Sequence, residues 1–174
     1  MKLFYYLLLS FTLVSCKPTA FCNLQSDFTT ISRECPTDGD CTLELLPNKK
    51  LTFITDKYGM KYPEITEGKK TVLIYTYNRI YKEKRPDGYY TEKVFAELEP
   101  NTTELNLKDE DLKEVKLHFA RLCFCKGETG YYAVNQGRFN FKLLKNDSLN
   151  VSAKFKVKKI PQVISSFNQT ISLK

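Results

Sequence analysis

Beyond its N-terminal segment this sequence predicts an all-β fold, an antiparallel β-sandwich or small barrel of about eight strands. Three observations carry the prediction. Apolar and polar residues alternate strictly, most clearly Leu149, Val151, Ala153, Phe155 and Val157 against Asn150, Ser152, Lys154, Lys156 and Lys158. Aromatic side chains are plentiful, with 12 Phe and 11 Tyr, a composition that suits a pleated, half-buried surface. Turn signals separate the candidate strands at intervals of about 8–15 residues, as in antiparallel sheets.

The N-terminus has a different logic. Lys2 supplies a positive start, residues 3–9 form an apolar run, and residues 10–15 lead into Cys16. This is the layout of a secretory signal, expected as a helix too short to span a bilayer. Leu13-Val14-Ser15-Cys16 resembles the bacterial lipobox. The resemblance implies cleavage before Cys16 and a diacylglyceryl group on its thiol, with further acylation such as palmitate at the new terminus. Two or more acyl chains anchor a protein stably, each buried methylene contributing about 0.8 kcal/mol. The expected organisation is a signal peptide at 1–15, a lipidated tether at 16–33 and a single β domain at 34–174. Lys17-Pro18-Thr19-Ala20 contains no acidic cluster, which points to the periplasmic face of an outer membrane; surface exposure is the alternative.

The formal net charge is +7, carried by single lysines between apolar residues. That spacing reads as a solvated strand face, and a nucleic-acid partner is not expected. A basic surface favours anionic headgroups or acidic glycans. Asn101, Asn146, Asn150 and Asn168 each begin an Asn-X-Ser/Thr triplet. They would carry glycans only if the chain were a eukaryotic secreted glycoprotein.

Along the domain, Cys35-Pro36-Thr37-Asp38-Gly39-Asp40-Cys41 predicts a turn. Cys41, Leu43 and Leu45 then alternate with Thr42 and Glu44, and Leu51 and Phe53 with Thr52 and Ile54. Residues 71–81 are apolar on both faces at their start, as in a central strand. Pro86-Asp87-Gly88 reverses the chain into a strand over 89–99, and another is expected over 115–126. Phe139, Phe141 and Leu143 alternate with Arg138, Asn140 and Lys142. Only residues 108–113 offer helix-like chemistry.

With Cys16 lipidated, five cysteines remain, and an oxidising compartment favours their pairing. The preferred arrangement staples the Cys35/Cys41 turn to Cys123 and Cys125, leaving Cys22 unpaired. Residues two apart on a strand share a face, which disfavours a bond between Cys123 and Cys125. A competing scheme closes Cys35–Cys41 and pairs Cys22 with Cys123 or Cys125. Alternative uses of Cys123/Cys125 are thiol redox chemistry and metal binding, although their spacing matches neither Cys-X-X-Cys nor a zinc knuckle. His118, the only histidine, reads as a packing or surface residue. Asp109, Glu110 and Asp111 lack the Gly and distal Glu of a calcium loop. Tyr75, Tyr77 and Tyr81 with Arg79, and Tyr89, Tyr90, Tyr131 and Tyr132 at strand starts, read as sheet packing or an aromatic binding surface. No catalytic residue, cofactor or metal is expected.

Three motifs together, the Cys35–Cys41 segment, Lys57-Tyr58-Gly59-Met60-Lys61-Tyr62-Pro63, and Cys123-Phe124-Cys125-Lys126-Gly127-Glu128-Thr129-Gly130-Tyr131-Tyr132, resemble a group of small uncharacterised lipoproteins of the Bacteroidetes type. The resemblance implies an envelope location and no particular activity. The expected function is a non-catalytic, membrane-anchored envelope lipoprotein that binds an envelope protein or glycan, or serves as an accessory subunit.

Overall fold

The computed structural model describes residues 27–32, 34–81, 88–145 and 147–173. The signal segment with its expected helix, Cys16 and Cys22 lie outside the described residues. Within them no helix is long and apolar enough to cross a membrane. Among the described residues the fold is all-β, with one 3-10 helix, Asp109–Lys113, where the sequence offers helix-like chemistry.

In chain order the strands are β1 (Phe28–Ile31), β2 (Gly39–Thr55), β3 (Lys61–Glu67), β4 (Lys70–Arg79), β5 (Tyr90–Leu98) and β6 (Glu104–Lys108). After the 3-10 helix come β7 (His118–Cys123), β8 (Gly130–Ala133), β9 (Gly137–Leu144), β10 (Ser148–Phe155) and β11 (Ser166–Ser172). One antiparallel sheet has seven strands in the order β1-β2-β4-β5-β7-β8, with β3 paired to β2. The second has four, in the order β11-β10-β9-β6. Neither sheet closes, so the barrel alternative is corrected. The two sheets share one apolar core.

Alternation builds that core. Leu43, Leu45, Leu73, Tyr75 and Phe119 of the larger sheet meet Phe139, Phe141, Leu149, Val151 and Phe167 of the smaller. Tyr75 stacks on Phe167 with ring centroids 4.2 Å apart, and Phe119 lies against Phe155. Each fully buried Leu or Phe contributes about 1.5–3 kcal/mol. β4 is central as expected, flanked by β2 and β5 and buried along most of its length.

β2 serves two cores. Its register against β4 shifts between Leu46 and Lys49, where Pro47 offers no N–H and Asn48 adopts a φ of 56°. One extra residue reverses every later side chain. Leu43 and Leu45 therefore point into the main core, whereas Leu51 and Phe53 turn to a second cluster with Val72, Ile74, Phe95 and Ala120. Glu97, 3% exposed, secures this crossing: Leu51 N–H donates to it at 2.7 Å, and Lys116 and Lys70 pair with it at 2.8 and 3.0 Å.

The eleven strands of the described residues exceed the expected eight because β1, β3, β6, β8 and β11 are short or mixed in pattern. β11 places Gln169 at a buried position between Phe167 and Ile171, which hides its alternation. Residues 28–31, expected in the tether, form β1, with Phe28 opposite Leu45 and Ile31 opposite Thr42.

Candidate functional site: a cationic groove

The lysines that look scattered in sequence are gathered by strand register. In the four-stranded sheet Lys108 lies opposite Arg138, and Arg138 opposite Lys154, one row of three cations on neighbouring strands about 4.8 Å apart. All three are exposed. Like charges placed directly opposite are destabilising, so the row works against folding stability. Lys156 and Lys158 continue the outward alternation past the end of β10. These lysines do stand on a solvated strand face, and alternation along β10 and pairing across the sheet bring them to one region of it.

Two adjoining clefts occupy that region, of about 760 and 500 Å³, sharing Asp109, Gln136 and Lys156. The larger is lined by Lys61, Lys156, Lys158 and Lys159, and the smaller adds Lys108, Arg138 and Lys154. Against these seven cations stand two carboxylates, Asp109 and Glu110. Asp109 is partly engaged, since Gly137 N–H donates to its Oδ1 at 2.9 Å. Tyr131 and Tyr132, both half-buried, form part of the wall beside Asn135.

Backbone chemistry shapes the groove. Gly137 has a φ of 147°, and a Cβ there would come within 2.3 Å of the Lys154 carbonyl oxygen, so only glycine fits. Lys156 N–H donates to the Gln136 carbonyl at 3.0 Å. The segment after β10 is held from within by Gln162, which accepts from Val157 N–H at 2.7 Å and donates to the Ile164 carbonyl at 2.8 Å.

Glu92 fastens the same segment to the larger sheet. Only 1% exposed, it accepts from Val163 N–H at 2.7 Å, Ile164 N–H at 2.6 Å and the Tyr90 hydroxyl at 2.5 Å. Burial, together with this bond to Glu92, pushes the Tyr90 hydroxyl up to about 12. Arg121 donates to the Tyr90 oxygen at 3.2 Å and pairs with Glu128. Arg79 lies over the Tyr90 ring, 4.5 Å from its centroid, and reaches Asp38 at 3.0 Å. Tyr77 donates to Asp38 at 2.8 Å, and this bond leads the effects that hold the Asp38 carboxyl below its usual range. The tyrosines predicted as packing or binding surface thus divide. Tyr75 and Tyr77 are buried, Tyr90 joins an internal polar network, Tyr81 and Tyr89 are exposed, and Tyr131 and Tyr132 line the groove.

The cysteines pair within their own segments. Cys35 bonds Cys41 with Cα atoms 5.6 Å apart, and Cys123 bonds Cys125 at 5.2 Å. The preferred cross-staple is corrected, as is the pairing of Cys22 with Cys123 or Cys125; the Cys35–Cys41 closure of the competing scheme is what forms. β7 ends at Cys123 and the chain bends at Phe124. Cys125 therefore does not hold the strand geometry that would set the two thiols side by side on one face. Trypsin cleavage without reductant is expected to release each pair in its own peptide, 34–49 and 122–126. Any peptide linking the two segments would contradict this arrangement.

His118 is a packing residue. Its ring stacks on Phe53 with centroids 3.6 Å apart, and its Nδ1–H donates to the Lys116 carbonyl at 2.8 Å. Burial, assisted by the charge of Lys61, lowers its pKa below 6.5 despite the opposing pull of the Lys116 carbonyl. The unfolded chain then takes up the proton first. The stability contributed by neutral His118 is complete above pH 6.5 and lost as pH falls towards the folded-state value. Urea midpoints should drop between pH 7 and 5, and His118→Phe should flatten that drop; an equal slope in the variant would refute the assignment.

Among the described residues no group of three or more His, Cys, Asp or Glu is placed to hold a metal ion. The fold and its most distinctive surface define a two-sheet β protein with an electropositive groove. Compared with protein-family models, curated proteins and solved structures, the chain finds no match.

Proposed function

We propose that the protein is a non-catalytic binding lipoprotein of the cell envelope, held to a membrane through lipid on Cys16 and binding a polyanionic envelope component in its cationic groove. The anchor rests on Leu13-Val14-Ser15-Cys16 at the end of a signal-like apolar run, and on the resemblance to small lipoproteins of the Bacteroidetes type. The binding role rests on one observation: seven cations line two adjoining clefts against two carboxylates. Three of those cations stand in direct register, an arrangement that costs stability and that the exposed Lys108–Asp109 pair, at 3.7 Å, offsets in part. A groove so charged concentrates anionic ligands and binds them with strong salt dependence.

Two measurements test the halves separately. The native protein should enter the detergent phase and carry acyl mass, and Cys16→Ser should abolish both. The chain from residue 27 onward should be retained on dextran sulfate at low ionic strength and released by salt. An unmodified Cys16 refutes the anchor, and flow-through at low ionic strength refutes the binding face.

A further inference from the structure

We infer that the ligand of this groove is an acidic glycan, a hydroxyl-rich chain with spaced carboxylates; the inference rests on the groove being the binding face. Its chemistry is mixed in a way that a purely anionic polymer does not require. Asp109 and Glu110 stand among the cations, with Asn135 and Gln136 beside them. A densely charged chain such as polyphosphate would meet those carboxylates in repulsion, whereas sugar hydroxyls donate to them and to the amides. Tyr131 and Tyr132 add ring surface in the wall, suited to the apolar C–H face of a pyranose.

The setting continues the same chemistry outward. Beyond the Lys108–Arg138–Lys154 row the outer face of the four-stranded sheet carries Asn106, Asn140, Ser152 and Asn168 in register. Asn140 donates to Ser152 at 3.2 Å. Next to this row Asn150 donates to Asn168 and Thr170, each at 2.9 Å. A chain leaving the groove would therefore run over a flat strip of hydrogen-bonding groups. A bilayer fits less well. The exposed large apolar residues, among them Ile80, Tyr89 and Phe124, lie outside the clefts, and the groove tyrosines are half-buried in its wall.

Calorimetry on the chain from residue 27 at low salt would compare four probes: a polygalacturonate oligomer, the same oligomer with its carboxyls reduced to alcohols, inorganic polyphosphate of equal charge, and vesicles containing phosphatidylglycerol. The uronate should bind most tightly, and its reduced form about tenfold or more weaker. Tyr132→Ser should weaken the uronate about fivefold and leave polyphosphate unchanged. Because Tyr132 also packs on the core, the exposed Asn135→Ala offers a second variant, with an expected loss of about threefold confined to the uronate. Polyphosphate binding at least as tightly as the uronate, or preference for vesicles, would overturn the glycan inference while leaving a cationic binding face in place. Binding of none of the four would overturn the groove as a binding face altogether.

Discussion

Glu92→Ala is expected to destabilise the protein by on the order of 3 kcal/mol, the largest effect of any single polar substitution. Three donors lose their acceptor at once: the Val163 and Ile164 N–H groups and the Tyr90 hydroxyl. Each buried group left without a partner costs about 1–3 kcal/mol, and water entering the space recovers part of it. Glu92→Gln retains a carbonyl acceptor and should lose less. Urea unfolding measures both, and a loss below about 1 kcal/mol for the alanine variant would mean that the segment after β10 is held by Gln162 and apolar contacts alone. Because that segment carries Lys158 and Lys159, the variant should also show faster amide exchange there than wild type.

The second large effect concerns binding. Replacing Lys108, Arg138 and Lys154 together by glutamine removes a complete row from the groove. Exposed ion pairs are worth about 0.2–1 kcal/mol each, so three of them correspond to about a threefold to hundredfold loss of affinity for an acidic ligand. The salt dependence of binding should become shallower as well. Stability should hold or rise slightly, since the substitutions remove cross-strand repulsion. This opposite movement of affinity and stability distinguishes a binding role from a structural one. A triple variant that unfolds more readily yet binds as before would refute the assignment of the row.

The sequence displayed the strands that alternate cleanly, and for a physical reason. β10 has one face in the core and one in solvent, so Leu149 to Phe155 report their own burial. β4 likewise reveals its central place through apolar residues on both faces. Short strands give less. β8 has four residues, too few for periodicity, and β11 buries a glutamine. The groove is not readable as a site from Lys154 of β10 alone. Its other cations come from Lys61, Lys108, Arg138 and the segment after β10, which register and folding bring together across wide sequence separations. The disulfide pairing is not legible because the bend at Phe124 ends the strand before Cys125, so strand geometry does not extend to that thiol.

Pro47 and Asn48 carry a consequence for how the molecule comes apart. Since β2 passes from one apolar centre to the other at this point, it acts as a common beam under both. Slippage of its pairing on either side would re-phase the remainder, so neither half can rearrange alone. The two centres should melt as one event despite lying on opposite faces of a sheet.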